Sequence, residues 1–336
     1  MIRALAALPW SVAAATRVAL YRNGWVSLRE LPRPTISVGA LEMGGTGKTP
    51  AAVAVASALR DAGVRPAIVS RGYGRSGTRP LLVSDGADTG PLATAALAGD
   101  EPWLMAHLMR DVPVAVAGAR ELAAALVPPE NIDVFVLDDA FQHVRVRRDL
   151  DLLMIDATAP FWTRYPPPSG RLREGAAAAA RADGFLLHGD AGISGIPWDE
   201  KPRLELVALK SRLLPLDEWR REPHGAGIET PPPSCVAFAG IARPQRFFQD
   251  LRARGTRLAL AQQYRDHHVY TRTEINGLAE RARLRNCDTL VTTEKDAARL
   301  AHMGLGDTNI LVATYRLALR DRAALLELLE NSRAPR

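Results

Sequence analysis

In its first half the chain alternates between two hydrophobic periods. Thr35-Ile36-Ser37-Val38 is a short apolar run bounded by Pro34 and a glycine-containing loop, which predicts a strand. The alanine- and valine-rich stretch from about Thr49 to Ala62 then predicts a buried helix. Further strands are predicted at Pro66 to Ser70, Val114 to Ala117, Asp133 to Leu137 and Leu152 to Ile155, with helices at Glu101 to Met109 and Arg120 to Leu126 between them. Strand and helix alternating at this spacing indicate an α/β fold, a doubly wound, mostly parallel sheet.

The pattern loosens after Asp156. Tyr165 to Gly170 is proline-rich, Gly175 to Arg181 predicts an alanine helix, and Phe185 to Leu187 a strand. Arg221 to Pro233 ends in three consecutive prolines and marks a boundary. Beyond it the strand–helix pattern resumes: strand Cys235 to Phe238, helix Pro244 to Arg254, strand Leu258 to Leu260, helix Arg272 to Arg283 and strand Thr289 to Thr292. The expected organisation is an N-terminal segment 1–28, a main domain 29–222, a linker 223–233 and a smaller α/β domain 234–330.

With 336 residues, the chain has room for two cores. Lys and Arg exceed Asp and Glu by 43 to 37, a net +6, which favours phosphates or acidic membrane surfaces; nucleic acid and an obligate protein partner are not expected. Cys235 and Cys287 are the only cysteines, so a disulfide framework or a structural zinc site is not expected.

The first acidic residue is Glu30, after Arg3, Arg17 and Arg22. The apolar run from Ala4 to Ala15 falls short of the roughly 20 residues a bilayer span requires. Three readings fit this segment. It is a leader cleaved after Ala13-Ala14-Ala15, an interfacial helix starting near Pro9 with Trp10, Tyr21 and Trp25 at headgroup depth, or a helix packed on the core. The nucleotide chemistry that follows argues against export.

Gly44-Gly45-Thr46-Gly47-Lys48-Thr49 lies between a predicted strand and a predicted helix, the setting of a phosphate loop. Its glycines let successive N–H groups turn toward a phosphate, Lys48 suits the β- and γ-phosphates, and Thr49 suits Mg²⁺. Glu42 stands where the strict pattern has its first glycine. Asp138 and Asp139 end an apolar strand, so they would face the loop from the carboxyl edge of the sheet and serve the metal or the nucleophile. Together these features predict a P-loop NTPase-type fold. A guanine-specific motif is missing, because Lys295 and Asp296 are adjacent. Asp100 fits a general base or simply a helix N-cap, and His267 and His268 lack the i, i+4 spacing of a helical metal site.

Taken in order, GGTGKTP (Gly44 to Pro50), SRGYGR (Ser70 to Arg75), GDEP (Gly99 to Pro102), VLDDAFQH (Val136 to His143), Asp149 to Asp156, GRLRE (Gly170 to Glu174), Ala239 to Phe248, Asp266-His267-His268 and TTEKDA (Thr292 to Ala297) resemble the tetraacyldisaccharide 4′-kinase family over nearly the whole chain. The resemblance implies transfer of the γ-phosphoryl group of ATP to the 4′-hydroxyl of an acylated glucosamine disaccharide 1-phosphate, giving lipid IVA in lipid A biosynthesis. It also implies Mg²⁺ as cofactor and a peripheral position on the cytoplasmic face of the bacterial inner membrane, with an anionic surface as partner. By the same resemblance Asp100 and His267 form a proton-accepting pair and Lys48 and Arg173 assist. Gly44 to Thr49 and Gln142 would bind the nucleotide, and Thr49, Asp138, Asp139 and Glu174 the metal. The chain departs from the family pattern at Ala40 (Asn), at Glu42 (Thr) and in Pro167-Pro168-Ser169-Gly170, where a leucine is replaced. The rival reading is a ParA/MinD-like ATPase switch at membranes, against which stands Met43 in place of that group's trans-acting lysine.

Overall fold

A computed structural model describes residues 6–189, 198 and 200–333. Arg3 and Ala4, which belong to the leader reading, lie outside the described residues, as does the rest of 1–5.

Strand β1 (Thr35–Gly39) is buried along its length, and so are β2 (Pro66–Ser70), β5 (Val134–Asp138) and β6 (Leu150–Asp156). Burial on both faces is that of a parallel sheet covered on either side, and it takes in even Thr35, Ser37, Asp138, Asp151 and Asp156 of these strands. Val134 and Val136 of β5 face the helix Lys48–Asp61, whereas Phe135 and Leu137 pack with Ala123 and Ala124 on the opposite face. The sheet is completed by β3 (Leu81–Asp85), β4 (Pro113–Val116), β7 (Gly184–His188), β8 (Arg203–Ala208) and β14 (Leu317–Leu319). Its order is β14-β8-β7-β6-β1-β5-β2-β4-β3, parallel except at the two edges, where β14 and β3 run antiparallel. This is the expected mostly parallel, doubly wound sheet.

A second sheet is formed by β9 (Leu213–Pro215), β10 (Ser234–Ala239), β11 (Arg257–Gln263), β12 (Leu290–Thr293) and β13 (Ile310–Ala313), in the order β11-β10-β12-β13-β9. The chain crosses between the sheets. β9 leaves the first sheet to pair with β13, and β14 returns to pair with β8. The C-terminal helix Arg322–Arg333 then packs on the helix Lys48–Asp61 and on β6.

The proposed alanine helix is a 3₁₀ segment, Ala176–Arg181, with i→i+3 bonds from Ala178 to Gly175 and from Ala182 to Ala179. Gly175 and Ala182, both in extended conformations, bound the segment, and i→i+3 bonds are the rule in such short pieces. The N-terminal helix Leu8–Arg22 is continuous through Ala13-Ala14-Ala15 and is mostly exposed, with Ala7 and Val18 touching the body. No helix among the described residues is long and apolar enough to cross a membrane.

Candidate active site

The phosphate loop follows β1 and runs into the helix Lys48–Asp61, with Gly47 as N-cap at φ +80°. Gly44 and Gly45 also have positive φ, +68° and +63°. L-residues with side chains adopt this region at a cost, so the glycines are required by the turn that directs N–H groups inward. Lys48 Nζ donates to Thr46 Oγ1 at 3.3 Å and lies 3.8 Å from Asp139. Burial pulls the Lys48 ammonium below its ordinary value, against the charge of Asp139. Thr49, one residue on, is buried at the start of the helix.

β5 delivers Asp138 and Asp139 to this loop, and the two differ sharply. Asp139 adopts φ +49° and accepts from Arg173 Nη1 at 2.7 Å and Nη2 at 2.8 Å. Burial alone would raise its carboxyl; Lys48 and Arg173 hold it below the ordinary value. Asp138 accepts one bond, from Ser70 Oγ at 2.8 Å, while its Oδ1 is buried without a partner among the described residues. Burial, with Glu101 and Asp139 nearby, pushes it up to about 7. A buried, unpartnered carboxylate oxygen beside a phosphate loop suits a hard cation, and Mg²⁺ held partly by phosphates takes only one or two protein carboxylates. No group of three or more His, Cys, Asp or Glu side chains among the described residues forms a metal cage of its own.

Gln142 bridges the same corner, accepting from Arg173 Nη1 at 3.2 Å and donating to the Ala40 carbonyl at 3.3 Å. Glu174 is differently engaged. Its carboxylate accepts from Arg181 Nη1 at 2.8 Å and Nη2 at 3.0 Å, and that guanidinium lies 4.5 Å from the centre of the Phe141 ring.

Asp100 is not an N-cap. Gly99 takes that position at φ +91°, and Asp100 begins the helix Asp100–Leu108 with its side chain turned toward the second sheet. There His267 Nδ1 approaches at 3.1 Å and Arg299 Nη2 donates to the other oxygen. Burial would raise the Asp100 carboxyl, but the His267 hydrogen bond and the Arg299 charge hold it far below the carboxylate range. The hydrogen bond to Asp100 raises His267, which itself sits at φ +59°. Non-glycine residues in this region concentrate where the surroundings over-determine them, as at working sites. Glu101 acts electrostatically on both Lys48 and Asp138, so the first turn of this helix lies beside the phosphate loop.

Residues that sequence patterns left unassigned complete the site. Lys295 donates to Glu101, and Arg299 also donates to Asp296 Oδ1 at 2.8 Å and to the Gly240 carbonyl at 2.9 Å. Asp296 in turn accepts from Tyr270 at 2.8 Å and from the Gly240 N–H at 3.0 Å. Arg120 donates to the Asp138 carbonyl at 3.1 Å. The TTEKDA run is therefore a clasp between the sheets. Glu42 is buried, paired with Arg164, and 3.8 Å from Arg243. Two guanidiniums thus face the carboxylate that stands where the strict phosphate-loop pattern has its first glycine.

The N-terminal helix reaches this site through Trp10 Nε1, which donates to the Arg173 carbonyl at 2.8 Å, and Arg17 Nη2, which donates to the Gln142 carbonyl at 2.7 Å.

The family model described as tetraacyldisaccharide-1-P 4′-kinase matches residues 1–333. A tetraacyldisaccharide 4′-kinase of Geobacter metallireducens is 40% identical over 308 residues, covering 88% of this chain and 87% of that one. One of Anaeromyxobacter dehalogenans (strain 2CP-C) is 39% identical over 305 residues, covering 88% and 80%. A crystal structure of LpxK from Aquifex aeolicus in complex with ATP superposes with a TM-score of 0.73 at 27% identity, covering 99% of both chains.

Proposed function

The chain belongs to the tetraacyldisaccharide-1-P 4′-kinase family, and from this premise we propose that it transfers the γ-phosphoryl group of ATP to the 4′-hydroxyl of an acylated glucosamine disaccharide 1-phosphate, yielding lipid IVA. The observation that carries the reading is the meeting of Asp100 and His267, from different sheets, beside the phosphate loop. The acceptor oxygen attacks the γ-phosphorus, the bond to the β–γ bridging oxygen breaks, and ADP leaves. The hydroxyl proton passes to the Asp100–His267 pair.

In this reading the backbone of Gly44 to Thr49 and the Lys48 ammonium hold the β- and γ-phosphates. Arg173, fixed by Asp139 and Gln142, adds positive charge where the transition state gathers negative charge. Asp138 and Thr49 would hold Mg²⁺, which supplies charge neutralisation on the phosphates when bound. In this reading the lid 234–330 serves the same chemistry by presenting His267 and Arg299 to Asp100, while β9 from the main domain 29–222 joins the second sheet and β14 returns from the lid to the first.

The acceptor is a lipid, and the N-terminal segment suits a membrane surface. Leu8 and Val12 are each more than half exposed, Trp25 is 80% exposed, and Arg17 and Arg22 lie on the same helix as the first two. Such a helix lies in the headgroup plane of an anionic bilayer, here the cytoplasmic face of the inner membrane. The test supplies labelled ATP and the disaccharide 1-phosphate to the purified protein and to Asp100→Ala. Labelled lipid from the wild type and a loss of about 10²-fold or more in the variant are expected; no labelled lipid from the wild type refutes the assignment.

A further inference from the structure

Two residues of the second sheet's first turn lie over the phosphate loop. A Cβ built at Gly44 would fall 3.3 Å from the Ala242 methyl, and one built at Gly45 would fall 2.8 Å from Arg243 Cγ and 3.1 Å from its Nε. Arg243 caps the helix Pro244–Ala253, so its backbone is fixed by the second sheet while its side chain lies along the loop of the first.

The guanidinium is poised between two carboxylates without being hydrogen-bonded to either. Nη2 is 3.8 Å from Glu42 Oε2, and Nη1 is 3.7 Å from Asp156 Oδ2. Both carboxylates already have closer partners: Arg164 for Glu42, and Arg246 at 2.8 Å together with Thr158 for Asp156. Two negative charges thus face three positive ones, and Arg243 is the surplus, most loosely held cation. A nucleotide polyphosphate on Gly44 to Thr49 brings oxygens of higher charge density to the same spot, and a planar guanidinium meets phosphate with two parallel donors.

We infer that Arg243 is a polyphosphate-contacting residue for the kinase reaction, delivered by the second sheet, whose guanidinium passes from Glu42 and Asp156 to the terminal phosphates of the bound nucleotide. This rests on the kinase reading for the phosphate loop. It assigns Glu42 the opposite role, that of a competing acceptor which holds Arg243 back and opposes the incoming phosphates.

The test measures displacement of a fluorescent adenine nucleotide from the full chain by ATP, ADP and AMP. The variants are Arg243→Ala, Arg243→Lys and Glu42→Gln, each with a thermal melt. Arg243→Ala is expected to weaken ATP and ADP about 10-fold and leave AMP unchanged, with partial recovery in Arg243→Lys. Glu42→Gln is expected to tighten ATP several-fold, the opposite sign. If Arg243 only braced Glu42 and Asp156, the two neutralising variants would lower the melting temperature together without distinguishing ATP from AMP, and the inference would fall. It falls equally if Arg243→Ala binds ATP like the wild type. The binding arm needs no lipid acceptor, so an error in the acceptor assignment would show separately, as wild-type protein that binds ATP and phosphorylates no disaccharide.

Discussion

His267 Nδ1 stands 3.1 Å from the Asp100 carboxylate although 167 residues separate the two in the chain. The contact raises His267 and lowers Asp100, so near neutral pH the carboxylate is ionised and the imidazole titrates above its usual value of about 6.5. In the proposed reaction the pair accepts the acceptor hydroxyl's proton only while His267 is neutral. Turnover is therefore expected to rise with pH along a limb displaced above about 6.5. His267→Gln should abolish that limb and cut kcat by roughly 10²-fold or more. A limb unchanged in the variant would remove His267 from the proton path.

The same pair makes a stability prediction of definite sign. The raised His267 contributes stability that is full below its unfolded pKa and is lost as pH rises through its folded value. The lowered Asp100 contributes stability that is present above the ordinary carboxylate value and is lost as pH falls through its folded value. Their joint contribution is greatest between roughly pH 4 and 6.5, the two unfolded-state values. The gap in melting temperature between wild type and His267→Gln should be widest there and should narrow as pH rises further.

Arg299 is the buried hinge of the clasp, bonded to Asp100 of one sheet's helix and to Asp296 and Gly240 of the other. Arg299→Ala leaves two carboxylates facing each other without their shared cation, which should cost about 3–5 kcal/mol of stability. Because Asp100 then loses its orientation, kcat should fall while the KM for ATP stays near wild type. Arg299→Lys should restore more of the stability than of kcat, since one ammonium cannot serve both carboxylates in a fixed fork. A fall confined to the KM for ATP would contradict this.

How far the sequence revealed this site depended on whether a residue's partner was local. The phosphate loop, β5 with its two aspartates and the flanking helix were legible, since an apolar run, a glycine turn and a helical period occupy neighbouring positions. Asp100 stood out as a base or an N-cap, but its pairing with His267 came only through family resemblance. Arg299 lies in no motif and meets Asp100 across 199 residues. Arg243, in the quoted Ala239 to Phe248 run, gave no sign that it would rest on Gly45. β9 and β14 were missed for a different reason. Three-residue strands carry no usable period, and only the antiparallel pairing of β9 with β13 and of β14 with β8 defines them.

The N-terminal helix combines two surfaces. Leu8, Val12, Ala15 and Ala19 share one exposed face at helical spacing, whereas Trp10 and Arg17 bond to the backbones of Arg173 and Gln142. Deleting everything before Arg29 would therefore disturb the site as well as the surface. Leu8→Ser with Val12→Ser is the cleaner test. Sedimentation with anionic vesicles should fall several-fold while ATP binding is unchanged. Arg17→Ala should instead loosen Gln142 and raise the KM for ATP. Unaltered vesicle binding in the double variant would end the membrane assignment of this face.

The three carboxylates that family resemblance brings to the metal are expected to separate when examined by Mg²⁺ titration and by melting. Asp138 has one oxygen bound to Ser70 and the other buried and unpartnered, so Asp138→Asn should raise the Mg²⁺ concentration needed for half-maximal activity without a comparable loss of stability. Asp139 gives both oxygens to Arg173, so Asp139→Asn should free that guanidinium, lower kcat and leave the Mg²⁺ requirement closer to wild type. Glu174 gives both oxygens to Arg181 beneath Phe141, and its side chain is 4% exposed. Glu174→Ala would strand a buried guanidinium and should cost about 3–5 kcal/mol. Its signature is a lowered melting temperature with an unchanged Mg²⁺ titration in the folded fraction. A Mg²⁺ shift in Glu174→Ala as large as that in Asp138→Asn would place Glu174 at the metal and show that Arg181 releases it when the nucleotide binds.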